Sequence, residues 1–233
     1  MFREFGSASM VASAARPLTT DTEFARSGDL DALIALEQIG TRRLYHRDAQ
    51  VYAEGDAADC WYKVVSGAVR ITKQLADGRR HIAEFFFAGD CFGFDNTPER
   101  MFSAEAIGDA IVMRFSRSAT ERLIDEHPRL ARQLCAMMLR DLAHAQTRML
   151  LLGRMTAPER VANFLIELAE RKDAGRLIDV PMSRTDVADY LGLTIETVCR
   201  VLSALKRDGM IATPTPHQIE LRDRKAIEAV IEA

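Results

Sequence analysis

The pattern of apolar residues changes near residue 118, and this change is the strongest constraint on the fold. Between residues 41 and 115 the chain shows short apolar or alternating runs. Glycines separate these runs at positions 55, 67, 78, 89, 93 and 108. Such spacing is typical of the strands and turns of an all-β sandwich or barrel. From Ser118 the apolar period lengthens to about three and a half residues, and glycine is absent until Gly153. The sequence therefore predicts an α+β fold in which a β-rich unit precedes a long helix.

The β-rich segment contains three clear strand signals. Residues 61–65 and 68–72 are predicted as strands because apolar and β-branched residues dominate them. The dipeptide Asp77-Gly78 follows and is a strong hairpin signal, because both residue types tolerate a positive φ. Residues 82–87 are then the predicted returning strand.

The predicted long helix carries an apolar repeat with alternating intervals of four and three residues. The positions of this seam are Ala131, Cys135, Met138, Leu142, Ala145, Met149 and Leu152. A heptad seam is the pattern with which two helices wrap around each other, so we predict a homodimer through this face. The alternative is a helix that packs on its own domain, to which Leu130, Leu134 and Leu139 off the seam could contribute.

A scaffold helix is predicted directly after the long helix. Gly153 suits the exit from one helix and Pro158 suits the first turn of the next. The predicted helix, residues 158–172, buries one apolar face. The side chains expected on its exposed face are Glu159, Arg160, Glu167, Glu170 and Arg171.

Two short helices joined at a glycine come next, and they predict a helix-turn-helix. The sequence Ser-Arg-Thr-Asp at 183–186 resembles a capping box at the start of a helix. Gly192 supplies the tight turn, and Thr194 is placed to cap a second helix that extends to residue 208. Residues 210–221 are predicted as a β-hairpin, which would be the wing of the motif.

The exposed face of the second helix carries side chains suited to reading bases. Glu196 and Arg200 are four residues apart near the N-terminal end, which is the end that enters the major groove in this motif. Arginine can bond guanine O6 and N7, and glutamate can accept from the cytosine amino group. The alternative is a surface ion pair between them, worth about 0.3–0.5 kcal/mol. The predicted DNA-binding residues are Ser183, Arg184, Thr194, Ile195, Glu196, Thr197, Cys199 and Arg200.

Charge and composition limit the kinds of function that we expect for this protein. The net charge is −3, so any hold on DNA phosphates has to come from local placement of positive charge. The chain has no run of about 20 apolar residues, which a membrane span requires. Its five histidines are scattered and it has no glycine-rich phosphate loop, so we expect no enzyme activity. Its four cysteines form no close pair, so we expect reduced thiols, no metal site and a cytoplasmic protein.

The order of these segments resembles the CRP/FNR superfamily of transcription regulators over residues 30–227. Residues 194–200, Thr-Ile-Glu-Thr-Val-Cys-Arg, resemble the recognition helix of its FNR and FixK side. Cys-Phe-Gly-Phe-Asp at 91–95 and Met-Phe-Ser-Ala-Glu-Ala at 101–106 resemble the barrel signature of that branch. The resemblance implies a FixK-type regulator with a cyclic-nucleotide-binding-like β-barrel or jelly roll, a dimerisation helix and a winged helix-turn-helix.

The resemblance also implies a mode of action. A homodimer would bind palindromic double-stranded DNA with TTGA and TCAA half-sites about six base pairs apart, and its two-fold symmetry would match that of the palindrome. Glu196 and Arg200 would contact bases, and Ile195 would touch a thymine methyl. The regulator would activate genes for low-oxygen respiration or nitrogen fixation and contact RNA polymerase. FNR itself has a serine at the position of Cys199. In this chain, Cys199 is either an inert small residue or a thiol whose oxidation adds negative charge.

The β-rich unit lacks the ligand residues of the sensing relatives. The first cysteine is Cys60, so the N-terminal cluster of cysteines that holds an iron–sulfur centre in FNR is missing. Cyclic-nucleotide pockets carry a glutamate shortly after a glycine that Gly93 matches, and here Phe94 and Asp95 follow. Arg100 is the nearest candidate phosphate ligand and is expected to be a surface arginine. We expect no cofactor, and in particular no haem bound by the lone His81. The alternative function is a cyclic-nucleotide-responsive, CRP-like sensor.

These assignments divide the chain into four parts. The predicted parts are a flexible N-terminal tail (1–28), a β-barrel sensory-type domain with a short helix over 29–39 (29–117), a dimerisation helix (118–153) and a winged helix-turn-helix DNA-binding domain (154–233).

Overall fold

The computed structural model describes residues 30–171 and 175–232, so the predicted tail at residues 1–28 lies outside the described residues. The described chain begins with one helix, α1 (Leu30–Ile39). Eight strands follow: β1 (Thr41–Tyr45), β2 (Gln50–Tyr52), β3 (Cys60–Ser66), β4 (Ala68–Gln74), β5 (Arg80–Phe87), β6 (Cys91–Phe92), β7 (Ser103–Ala106) and β8 (Ala110–Ser116). These bounds confirm the three strands that the sequence predicts.

The strands form two antiparallel four-stranded sheets instead of one closed barrel. Their orders are β1-β8-β3-β6 and β2-β7-β4-β5. Apolar side chains from both sheets, Tyr62 and Val69 among them, share one core, so the expected barrel or jelly roll is a jelly-roll-like sandwich. Gly67 joins β3 to β4 with a φ of +83°, and a Cβ there would lie 2.5 Å from the Asp109 carbonyl oxygen. Only glycine fits at this crossing between the sheets.

Two helices, not one, follow the sandwich: α2 (Arg117–Glu126) and α3 (Pro128–Arg154). The prediction of one continuous helix is wrong at this point, because His127 takes a φ of −127° and a ψ of 77°. Proline disfavours the helical conformation in the residue before it and has no N–H to continue the ladder. The break sets α3 off as a separate element of 27 residues.

One face of α3 packs on the sandwich. Leu130, Leu134 and Met137 are buried in a core that also contains Trp61 of β3. Leu139, which the sequence placed on the same face, is 61% exposed. Leu139 lies two residues after the buried Met137, and two residues correspond to a rotation of about 200° around the helix, so Leu139 is on the opposite face.

The C-terminal part contains four helices and a small sheet. Its elements are α4 (Ala157–Arg171), β9 (Leu177–Asp179), α5 (Arg184–Leu191), α6 (Ile195–Arg207), β10 (Ile211–Thr215), β11 (Gln218–Leu221) and α7 (Arg224–Ile231). The antiparallel sheet has the order β10-β11-β9. The helix-turn-helix and its wing are therefore present where the sequence predicts them.

The sandwich and the C-terminal part share a hydrophobic core. Phe85 and Phe87 of β5 belong to the same buried cluster as the apolar residues of α4, α5 and α6. The ring of Phe85 lies 4.8 Å from that of Tyr190 on α5. The Arg148 guanidinium of α3 lies 3.5 Å from the Tyr190 ring centre, a cation–π contact. The helix-turn-helix is thus packed against the sandwich and the long helix.

Helix α4 turns two charged residues toward the sandwich that the sequence placed on its exposed face. Arg171 donates to Glu84 Oε1 at 3.2 Å and to Asp90 Oδ2 at 2.8 Å. Glu167 is half-buried beside them. Burial, assisted by the charge of Glu84, raises the pKa of Glu167 to about 6. Its carboxylate is therefore ionised at neutral pH at a cost in stability.

We predict that Glu167→Gln stabilises the protein in a pH-dependent way. The native state binds this proton more tightly than the unfolded chain, so the free energy of unfolding falls as the pH rises from the ordinary value of 4.5 through about 6. At about pH 7.5 the variant should exceed the wild type by about 1–2 kcal/mol, and at about pH 4.5 the two should coincide. Urea unfolding at both pH values measures this difference.

The matched control is Glu170→Gln, because Glu170 lies on the same helix but is exposed and paired with Arg224. Its effect should stay below about 1 kcal/mol at both pH values. An equal gain for Glu167→Gln at both pH values would contradict the burial argument.

Candidate nucleic-acid interface

A reciprocal capping box begins the first helix of the motif. The backbone N–H of Asp186 donates to Ser183 Oγ at 3.0 Å, and the backbone N–H of Ser183 donates to Asp186 Oδ2 at 3.0 Å. The helix ends at Gly192, whose φ of +63° is left-handed and favours glycine. The capping box and Gly192 thus fix the two ends of α5.

The second helix begins at Thr194. Its Oγ1 accepts a hydrogen bond from the Thr197 backbone N–H at 3.3 Å. Glu196 lies in the first turn, where the helix dipole favours negative charge. Hydrogen bonds from its own backbone and from the Thr194 hydroxyl hold the pKa of Glu196 below its usual range. The Glu196 carboxylate is therefore ionised and exposed at neutral pH.

A small apolar contact sets the angle between the two helices. It consists of residues on the facing sides of α5 and α6, each less than a tenth exposed: Val187, Ala188, Leu191, Val198, Leu202 and Leu205. The N–H of Leu193 also closes the turn on the Ala188 carbonyl at 3.0 Å. Because these contacts bury one side of α6, the opposite side is directed outward.

The outward side of α6 carries four of the eight predicted DNA-binding residues. Glu196, Cys199 and Arg200 are exposed, and Ile195 is 39% exposed. Among the residues that the structure describes, no ion pair within 4.0 Å joins Glu196 to Arg200. The alternative of a surface ion pair is therefore not what the structure shows.

The remaining predicted residues lie at the starts of the two helices. Ser183 and Thr194 are exposed, whereas Arg184 and Thr197 are half-buried. Burial lowers the pKa of Arg184, and the Cys199 side chain acts on it in the opposite direction.

Arg160 is a residue of the motif that the sequence placed on a solvent-exposed face. It is half-buried, and its Nη1 donates to the Leu191 carbonyl at 3.0 Å while its Nε donates to Met155. It thus holds the last carbonyl of α5 against the start of α4. A single arginine on an amphipathic helix gives no sequence signal for such a contact.

The wing is tied to the second helix. Lys206 Nζ lies 3.2 Å from Thr213 Oγ1 of β10. Strand β9, which the sequence analysis missed, pairs with the other side of the wing through Ile178 and Ile219. With three residues and one buried side chain, β9 is too short for a clear alternating pattern.

Arg100 is not a surface arginine, which corrects the expectation from the sequence. It is 2% exposed and donates to Asp95 Oδ2 at 2.7 Å and to the Gly93 carbonyl at 2.8 Å. Its guanidinium lies 4.2 Å from the Tyr52 ring centre. Within the sandwich, this cation is engaged by an acidic residue of the chain itself.

The predicted dimerisation seam lies along the solvent side of α3. Met138, Leu142 and Met149 are 41%, 53% and 74% exposed in the single chain. Of the smaller seam residues, Cys135 and Ala145 are exposed and Ala131 is half-buried, whereas the side chain of Leu152 lies outside the described residues.

Residues 30–171 and 175–232 contain neither a membrane-spanning helix nor a group of metal ligands. None of the helices there combines the length and the apolar character that crossing a bilayer requires. In the same ranges, no three His, Cys, Asp or Glu side chains are grouped so that they could hold a metal ion.

Two family models match the two parts of the chain. Residues 42–127 match the cyclic nucleotide-binding domain, and residues 159–230 match the Crp-like helix-turn-helix domain. The first match covers the sandwich and the second covers the motif described above.

Curated relatives and a solved structure extend these matches to most of the chain. The nitrogen fixation regulation protein FixK of Azorhizobium caulinodans is 42% identical over 194 residues, 81% of this chain and 78% of the relative. The protein of that name from Bradyrhizobium diazoefficiens is 40% identical over 209 residues, 88% of each chain. The structure of FixK2 from Bradyrhizobium japonicum superposes with a TM-score of 0.80 at 43% identity, covering 84% of this chain and 98% of that one. The chain therefore belongs to the CRP/FNR superfamily of DNA-binding transcription regulators, on its FixK-type branch.

Proposed function

We propose that the chain is a homodimeric transcription activator that binds a palindrome of TTGA and TCAA half-sites without a bound effector. The observation that carries the proposal is the outward side of α6, where Glu196 and Arg200 lie one turn apart at the N-terminal end. This end enters the major groove in helix-turn-helix proteins. A half-site of this sequence offers matching groups: guanine O6 and N7 for Arg200, and the cytosine amino group for Glu196.

The other predicted residues have supporting roles in the proposal. Ile195 would contact a thymine methyl, and Thr197 and Cys199 would line the same groove. Ser183, Arg184 and Thr194 at the helix starts would bond phosphates and fix the register of the protein on DNA.

Dimerisation through α3 would match the protein symmetry to the palindrome. The exposed seam gives each copy the same apolar stripe, as a two-fold interface requires. Half-sites about six base pairs apart place the half-site centres about one helical turn from each other.

Independence from an effector is supported by the interior of the sandwich. Asp95 already neutralises Arg100, so a cyclic phosphate would have to displace a buried ion pair before it could bind there. The pairing of Arg100 with Asp95 weighs against the alternative of a cyclic-nucleotide-responsive sensor.

The proposed targets and partners follow from the family. The FixK relatives carry the name of nitrogen fixation regulators, and we propose that this chain activates genes for nitrogen fixation or low-oxygen respiration. Activation would involve contact with RNA polymerase in the cytoplasm.

Fluorescence anisotropy tests the proposal directly. Purified protein is titrated at a stated salt concentration into a labelled TTGA/TCAA duplex and a scrambled duplex, without and then with cyclic AMP. Selective binding without ligand supports the proposal. Selective binding that requires cyclic AMP supports the sensor alternative, and binding without selectivity refutes both.

We predict that Arg200→Ala reduces base discrimination by about 1–3 kcal/mol, because the variant loses a bidentate contact to guanine. The measurement is the ratio of affinities for the operator and for an operator with that guanine replaced. Arg207→Ala is the matched control, because Arg207 is an exposed arginine at the other end of α6 and pairs with Asp208. Equal loss of discrimination in both variants would contradict the assignment of Arg200.

We also predict that Leu142→Arg dissociates the dimer. Each dimer would lose two buried leucines, worth about 1.5–3 kcal/mol apiece, and gain two charges at the seam. Sedimentation equilibrium should show a dissociation constant raised at least about 100-fold, with an unchanged circular dichroism spectrum. Thr147→Arg is the control because Thr147 is exposed on a different side of α3, and its variant should remain dimeric.

A further inference from the structure

An ion-pair network joins the sandwich to the first helix of the helix-turn-helix, and it is buried at Asp186 and Arg70 and half-buried at Arg80 and Asp189. Asp186 on α5 is 3% exposed and Arg70 on β4 is 7% exposed. Asp186 Oδ1 accepts hydrogen bonds from Arg80 Nη2 of β5 at 2.6 Å and from Arg70 Nη1 at 3.3 Å. Arg80 Nε also donates to Asp189 Oδ2 at 2.8 Å. Two arginines on neighbouring strands thus hold two carboxylates one turn apart on α5.

Both ends of this network are fixed within their own domains. Arg70 is held in the sandwich by Asp48 at 2.8 Å and by Glu105 at 2.9 Å. Asp186 is held in the motif by the capping box, in which Oδ2 accepts from the Ser183 N–H and hydroxyl. Burial by itself raises the pKa of Asp186, but the bonds from Ser183 and the charges of Arg70 and Arg80 bring it below its usual range. The bridging carboxylate is therefore ionised at neutral pH.

The network controls a rotation that the apolar contacts leave less constrained. Apolar burial is non-directional, so the contact of Phe85 with Tyr190 alone tolerates small rotations of α5 on the sandwich. Arg148 of α3 also donates to the Tyr190 carbonyl at 3.0 Å, but this bond holds α5 only near its C-terminal end. Charge-assisted bonds from arginine are directional and nearly planar. Because buried ion pairs add little net stability, the role that fits this network best is fixing an orientation.

The orientation of α5 determines that of α6, because the two helices share the apolar contact described above. We propose that Arg70 and Arg80 are positioning residues: through Asp186 and Asp189 they set the direction and separation of the two α6 helices in the dimer. They thereby set the spacer length of the DNA site. This inference rests on the proposed function, in which a dimer binds a palindrome.

The test is a spacer series measured with the full-length dimer. Each added base pair rotates one half-site by about 34° and moves it by about 3.4 Å. Operators with spacers from about four to eight base pairs, and a scrambled duplex, are titrated with wild type, Arg80→Ala and Arg79→Ala. Arg79 is the matched control because it neighbours Arg80 but pairs with Asp77 in the exposed hairpin.

The expected result is a loss of spacer selectivity with retained base selectivity. Wild type and Arg79→Ala should prefer one spacer by at least about tenfold, a difference typical of a lost specific contact. Arg80→Ala should bind neighbouring spacers within about threefold of each other and still prefer every operator to the scrambled duplex. A variant that is merely less stable would lose affinity for all spacers equally.

Two outcomes separate the inference from the proposed function. If the wild type does not distinguish the operators from the scrambled duplex, the proposed function fails and the inference fails with it. If the wild type is selective and Arg80→Ala keeps the wild-type spacer profile, the positioning role is overturned and the proposed function stands. Should Arg80→Ala fail to fold, Asp189→Asn removes the charge of one of the two carboxylates that Arg80 holds, with little change of shape. The same two outcomes then apply to that variant.

Discussion

The placement of α6, the second helix of the helix-turn-helix, depends on the bonds that the Asp186 carboxylate accepts. One of its oxygens closes the capping box with Ser183, and the other accepts from Arg80 and Arg70 of the sandwich. The first set of bonds decides where α5 begins, and the second decides where α5 lies on the sheet. Since α6 is packed on α5, a single buried charge connects local helix formation with the placement of the motif in the molecule. Such a group is costly to bury unless each of its oxygens is bonded, and here both are.

The interface around this carboxylate explains why the helix-turn-helix is not a loosely tethered module. Phe85 of β5 lies in the same buried cluster as the apolar residues of the motif, and Arg148 of α3 covers Tyr190 while donating to its carbonyl at 3.0 Å. The sandwich, the long helix and α5 therefore meet at one place. In the sandwich interior, Arg100 has an internal partner in Asp95. Contacts within the chain therefore hold the sandwich and the helix-turn-helix together.

The sequence predicts those parts of the fold that are encoded by neighbouring residues. The capping box, Gly192 and Thr194 lie within 12 residues and define the helix-turn-helix almost to the residue. The break between α2 and α3 also has a local signal, which is Pro128. The sequence nevertheless predicts one continuous helix, because the helical apolar period runs across this proline. Arg171 could not be placed, because its partner Glu84 is 87 residues away in sequence. The burial of Arg100 could not be predicted either, because the Tyr52 ring that covers its guanidinium is distant in sequence. The ion-pair network of Arg70 and Arg80 with Asp186 and Asp189 could not be predicted for the same reason.

The ion pairs also determine which charges the C-terminal part presents at its surface. Residues 154–233 contain 12 lysines and arginines against 13 acidic residues, a balance that gives no attraction for phosphate. The structure shows that several of these acids do not face outward: Asp186 and Asp189 are paired with arginines of the sandwich, and Glu167 is half-buried. Charges that are paired and buried contribute little to the field outside the protein. The contacts that orient α5 therefore also withdraw the charges of Asp186 and Asp189 from the C-terminal surface, while Arg171 of the same part is likewise paired with acids of the sandwich. The net balance at the surface stays near zero, so attraction for phosphate depends on where exposed cations such as Arg200 lie.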